Sequence, residues 1–149
     1  MRRERGFTLI ELLVVFGIMA LVIGLVPVAY ERMREASQYR DTVRTMFGHL
    51  RSARAIAMTE GHDVRFTVNL SERMYGLEGA RPTVVPFPLQ LRVTAADREV
   101  EQLGQASIRF LPSGGATGGS IEIMRGPGIG TRLRVDWLSG RVTQEALLP

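Results

Sequence analysis

Three patterns of apolar and polar positions follow one another along the chain. Residues 7–30 read FTLIELLVVFGIMALVIGLVPVAY, 24 positions with a single charge. A helix needs about 20 predominantly apolar residues to cross a bilayer core, so this run is long enough to span one. Arg2, Arg3 and Arg5 precede it, which puts that end in the cytoplasm by the positive-inside rule. From residue 31 to 60 the apolar positions take a helical period. Ala36, Tyr39, Val43, Met46, Leu50, Ala53 and Ala57 recur at alternating spacings of three and four, a stripe widened by Phe47 and Ile56. Gly61 is a suitable stop, since glycine accepts the left-handed conformation that ends many helices. A coiled coil would show a similar stripe. Three alanines on it, and the β-rich segment that follows, favour packing against a domain.

After Gly61 the period changes to two. Val64, Phe66, Val68 and Leu70 alternate, a polar turn follows at residues 71–73, and MYGL makes a short strand. Residues 81–88 contain three prolines and read as a loop or irregular edge. Leu89, Leu91 and Val93 alternate again, as do Ile108 and Phe110, then Ile121 and Ile123, then Leu133, Val135 and Trp137. Glycine-rich turns at residues 113–119 and 126–130 separate the later strands, and residues 141–143 make a final short one. The expectation is an α+β chain in which a long N-terminal helix packs on a small antiparallel β-sandwich head. Its segments are residues 1–6, 7–30 (membrane span), 31–61 (amphipathic helix) and 62–149 (head).

Composition narrows the chemistry. At 149 residues there is room for one small core after the helix. All 19 basic residues are arginine, and the net charge is +4. Residues 1–6 hold three of those arginines and one glutamate, so without them the charge is +2, close to neutral, and a general affinity for nucleic acid is not indicated. The absence of cysteine excludes a disulfide framework, a thiol nucleophile and a cysteine–zinc site.

Glu11 is out of place in an apolar run. A carboxylate at the centre of a membrane helix costs on the order of 2.5–3.5 kcal/mol. Glu11 lies only about 6 Å along the helix from Phe7, so one explanation is that it reaches the membrane face and does nothing further. The other is that it awaits a positive partner. Cleavage after Gly6 would give Phe7 a free amine, and in a packed array that amine could meet Glu11 of a neighbouring subunit. An ordinary secretory signal would instead place a small-residue cleavage site behind the apolar run. Residues 27–30 offer only a weak one, and the run passes without a break into the helical stripe.

Gly6-Phe7-Thr8-Leu9-Ile10-Glu11-Leu12-Leu13-Val14-Val15 resembles the prepilin peptidase motif of type IV pilins and type II secretion pseudopilins. The resemblance implies cleavage between Gly6 and Phe7 by an aspartyl prepilin peptidase, N-methylation of Phe7 and a register role for Glu11. The succession Phe110-Leu111-Pro112-Ser113-Gly114, Gly118-Gly119-Ser120-Ile121 and Val135 through Gly140-Arg141-Val142 is similar to the minor pseudopilin H group of type II secretion, which includes related minor pilins. That likeness implies a non-enzymatic filament subunit in protein export, anchored in a bacterial inner membrane with a periplasmic head. Its partners would be the prepilin peptidase and the other major and minor pseudopilins. A minor pilin of a type IV pilus is the alternative, with Arg132, Arg134 and Arg141 as DNA contacts whose binding would fall steeply with salt. Gly17, Gly24 and Pro27 interrupt the span, and the residues leave open whether they kink it or let it unwind in a filament.

Other constellations carry less. Neither glycine-rich turn matches a phosphate-binding loop. His49 and His62 stand without a ligand cluster, and Asp63, Asp97 and Asp136 lack the spacing of a calcium loop. No cofactor, metal or catalytic residue is expected.

Overall fold

The computed structural model describes residues 8–95 and 104–148, except for the side chains of residues 25–29, 32 and 95. The expected Gly6–Phe7 cleavage site and Asp97 lie outside them. One helix, α1 (Leu9–Glu60), is followed by eight strands: β1 (Val64–Asn69), β2 (Met74–Leu77), β3 (Thr83–Val84), β4 (Gln90–Ala95), β5 (Gln105–Phe110), β6 (Gly119–Gly126), β7 (Ile129–Val135) and β8 (Val142–Leu147). The chain divides into two compact units, Met1–Ser37 and Gln38–Pro149.

In the first unit, positions 17 to 27 are helical throughout, Pro27 included. The large apolar side chains from Leu9 to Ile23 are all exposed. Among the described residues no helix is long and apolar enough to cross a membrane. Phe7 and the side chains of residues 25–29, which complete the apolar run, lie outside the described set.

In the second unit the helical stripe is buried as its spacing predicts. Val43, Met46, Leu50, Ala53 and Ala57 are buried, and Tyr39, Phe47 and Ile56 pack at the margin. Gly61 ends α1 at φ +70°, its N–H donating to the Ala57 carbonyl at 3.1 Å. The strands form two four-stranded sheets, β3-β2-β1-β5 and β4-β6-β7-β8, and every pairing is antiparallel. Alternation sends Val64, Phe66, Val68, Ile108 and Phe110 of the first sheet, and Ile121, Ile123, Leu133 and Val135 of the second, into one cluster with the α1 stripe. The hydroxyls of Tyr39 and Thr131, 2.6 Å apart, tie α1 to β7.

Four details depart from the sequence reading. Leu70 lies beyond the end of β1 and is exposed, because the chain turns at Asn69, whose Oδ1 accepts from the Glu72 N–H and the Ser71 hydroxyl. Trp137 follows β7 instead of continuing its alternation, and 66% of it is exposed. The turn expected at residues 126–130 shrinks to Pro127 and Gly128 (φ +71°), because β6 and β7 pair as far as Gly126 and Ile129. The last strand runs to Leu147, well past residue 143, since backbone pairing with β7 extends over a segment whose side chains do not alternate between apolar and polar.

Candidate functional site

Thr8 and Glu11 meet at the start of α1. The Glu11 N–H donates to the Thr8 hydroxyl at 3.3 Å, and the Thr8 N–H donates to Glu11 Oε2 at 3.5 Å. With Leu9 as the first helical residue, Thr8 holds the N-cap position and Glu11 the third, the arrangement of a capping box. Two backbone donors that the helix cannot satisfy internally are met in this way. The carboxylate also lies at the end of the helix where backbone dipoles favour negative charge. Sequence reading noticed that Glu11 needed a partner and missed that Thr8, three residues earlier, is one. The Thr-x-x-Glu spacing was the available signal.

The head carries two further polar constructions. Arg92, Glu122, Arg132 and Glu145 stand opposite one another on β4, β6, β7 and β8, one charged row across the second sheet with alternating sign. Arg132 donates from Nε and Nη2 to Glu122 Oε1 at 3.0 and 2.7 Å, Arg92 Nη1 reaches Glu122 Oε2 at 3.5 Å, and Arg132 Nη1 lies 3.8 Å from Glu145. The two arginine stems leave the Glu122 side chain only 10% exposed. Opposite charges directly across strands are favourable, more so where solvent is partly excluded. The pattern Ile121-Glu122-Ile123 places Glu122 on the outer face, but its partners become visible only with the sheet register.

The second construction is a clamp. Arg54 Nε, projecting from α1, donates to the carbonyls of Gly114 at 3.0 Å and Ser139 at 2.9 Å. It joins the β5–β6 and β7–β8 loops to the helix. The loops approach so closely that a Cβ on Gly140, which has φ +60°, would sit 2.3 Å from the Gly114 carbonyl oxygen. One on Gly118, at φ +79°, would sit 3.0 Å from the Trp137 Cβ. Asp136 closes the second loop. Its Oδ1 accepts from the Ser139 N–H at 2.8 Å and from the Ser139 hydroxyl at 2.7 Å, and these bonds hold its carboxyl below the usual carboxylate range. The glycine-rich segment 113–119 and the loop at residues 137–140 are therefore turns fitted to one another.

The three arginines expected on one face are divided. Arg132 and Arg134 line a groove of about 520 Å³ with Trp137, while Arg141 lines a second, of about 790 Å³, with Phe47, Arg51 and Arg54. Arg132 is held in the charged row and is not free to take a phosphate. His49 packs beside Tyr75, with ring centroids 6.0 Å apart, and burial pushes the Tyr75 hydroxyl up. His62 lies 3.6 Å from Glu60, and Asp63 lies 3.5 Å from Arg109. Among the described residues no group of acidic or histidine side chains could hold a metal ion.

Known proteins resemble the chain along most of its length. The prokaryotic N-terminal methylation motif matches residues 1–27, and the family described as type II transport protein GspH matches residues 42–140. A "Type II secretion system protein H" of Xanthomonas campestris pv. campestris is 29% identical over 143 residues, which cover 95% of this chain and 83% of the relative. Two solved structures of the minor pseudopilin EpsH from the Vibrio cholerae type II secretion system share the fold. Their TM-scores are 0.59 and 0.57 at 14% and 15% identity, covering 73% and 76% of this chain and 97% of theirs.

Proposed function

The chain belongs to the GspH family of type II transport proteins, and on that premise we propose that it is a minor pseudopilin, a structural subunit of a type II secretion pseudopilus. The family match over residues 42–140, the end of the helix and most of the head, is the observation that carries this reading. The methylation motif at residues 1–27 supports the processing route.

The mechanism follows from the N-terminus. Residues 1–6 are the leader and residues 7–30 hold the precursor in the inner membrane, N-terminus cytoplasmic and head periplasmic. Prepilin peptidase hydrolyses the Gly6–Phe7 bond, leaving a carboxylate on Gly6 and an amine on Phe7 that stays cationic when methylated. The capping box survives the cut, because Thr8 keeps its N–H and hydroxyl as the second residue of the mature chain. Glu11 is then presented at a helix start with its backbone bond intact and further acceptor capacity for a neighbour's Phe7 amine. In a low-dielectric array each charge removes the cost of burying the other. Residues 31–61 carry the head (62–149) toward the other pseudopilins, and the assembled filament drives folded substrates outward.

A DNA-contacting minor pilin is not favoured, since Arg132 is engaged by Glu122 and Arg141 lines a different groove. Full-length chain extracted from its native membranes should copurify with the other minor pseudopilins, and its deletion should stop export. Normal secretion in the deletion strain would refute the assignment.

A further inference from the structure

The sheet edges differ in how they are protected. At the β3 edge the strand has only two residues, between Pro82 and Pro86. The β5 edge is covered by the following loop: the Thr117 N–H donates to the Arg109 carbonyl at 2.9 Å, the Arg109 N–H to the Thr117 hydroxyl at 3.1 Å, and Phe110 bridges to Ala116. Such shortening, proline and covering are the usual means of preventing an edge from pairing with another chain.

β8 has none of them. It is the last strand in the order β4-β6-β7-β8, six residues long, without proline or glycine, and its register against β7 is unbroken from Val142 to Leu147. The Asp136 N–H donates to the Arg141 carbonyl at 3.0 Å, which sets the parity of the ladder. By antiparallel alternation Thr143, Glu145 and Leu147 bond inward to β7, and the backbone groups of Val142, Gln144 and Ala146 point to the open side.

The groove of about 790 Å³ adjoins this edge. It is lined by Phe47, Met58 and Val142, by Arg51, Arg54 and Arg141, and by no carboxylate. Among the described residues Arg51 and Arg141 make no ion pair. A strand laid along β8 would thus find backbone partners on one side and unneutralised guanidinium groups, with an apolar floor, beside them. A second copy of this chain suits the site poorly, because pairing β8 with β8 would bring two arginine-lined grooves together.

We propose that the open edge of β8 and the arginine-lined groove beside it receive an extended, acidic segment of a different pilin-like subunit, added as a fifth strand to the β4-β6-β7-β8 sheet. Backbone bonds supply affinity, and the arginines choose a partner carrying carboxylates. The proposal rests on the reading of the chain as a filament subunit.

The test places a photoreactive residue at Thr143 of the full chain, in native membranes containing the other pseudopilins. Illumination should give one adduct with one other pseudopilin. Gln144→Pro removes an outward N–H that β7 does not use, and it should lower the yield about tenfold, as should the pair Arg51→Glu with Arg141→Glu. The charge reversal touches no described ion pair, so it decides the matter if the proline variant melts early. Undiminished adducts in the reversed variant, an adduct with a second copy, or no adduct from chain that still copurifies with pseudopilins would each overturn the proposal and leave the assignment standing. Chain that copurifies with no pseudopilin refutes the assignment itself.

Discussion

Replacing Gly140 by alanine tests the clamp that closes the head. Gly140 is buried with φ +60°, where an L side chain costs about 1–2 kcal/mol. The added Cβ would lie 2.3 Å from the Gly114 carbonyl oxygen and 3.0 Å from Arg54 Nε. Because the nearest atom is backbone, the two loops must separate, and the Arg54 bonds to Gly114 and Ser139 lengthen or break. A hydrogen bond from a charged donor contributes roughly 1.5–3 kcal/mol, and the lower end applies where one of the two is open to solvent. Together these give a loss of about 3–5 kcal/mol, a large share of the roughly 6–17 kcal/mol expected for a unit of this size. The melting temperature of the second unit, residues 38–149, should fall by about 12–20 °C. Trp137, the chain's one tryptophan, sits in the clamped loop and reports the change by fluorescence. Arg54→Ala removes the same bonds, so the double variant should be less destabilised than the sum by about 2 kcal/mol or more. A fall below about 4 °C, or strict additivity, would show that the clamp does not hold the loops.

At the N-terminus, Glu11→Gln keeps a side chain that can complete the capping box and removes only the charge. It should fail to copurify with other pseudopilins as completely as Glu11→Val, and recovery at the wild-type level would mean that the cap, not the ion pair, is what matters. In the charged row, Glu122→Ala leaves Arg132 and Arg92 without their shared carboxylate; urea unfolding should show a loss of about 2–3 kcal/mol, whereas Glu145→Ala should cost under about 1 kcal/mol. Asp136 has a pKa below its ordinary value near 3.8, chiefly through the Ser139 N–H and then the Ser139 hydroxyl. A depressed folded pKa contributes stability that is full above the unfolded value and is lost as pH falls through the folded one. Thermal melts of Asp136→Asn should therefore lose less stability than wild type below about pH 4, and parallel acid limbs would contradict this.

Much of the architecture was legible because burial imposes periodicity. Spacings of three and four from Ala36 to Ala57 require one buried helix face, and alternation at Val64-Phe66-Val68 and Ile121–Ile123 requires strands with one face inside. The N-terminal motif was legible for a different reason. It matches the prokaryotic N-terminal methylation motif as a linear segment, residues 1–27, so its recognition does not wait for folding.

Pairing across strands was not legible. Glu122 acquires Arg92 and Arg132, and Glu145 acquires Arg132, only when β4, β6, β7 and β8 take their register, and no local rule ties residue 92 to 122 or 132 to 145. The same holds for Arg54, which looked like a solvated helix arginine until two loops 60 and 85 residues away in sequence closed on it. β8 was read too short because its backbone, not its side chains, makes it a strand. Near neighbours along the chain were enough to show the N-terminal methylation motif, the buried helix face and the alternation of the strands. The neutralised charges around Glu122 and the open edge of β8 came only with the folded register, because both depend on groups that meet after the chain has folded.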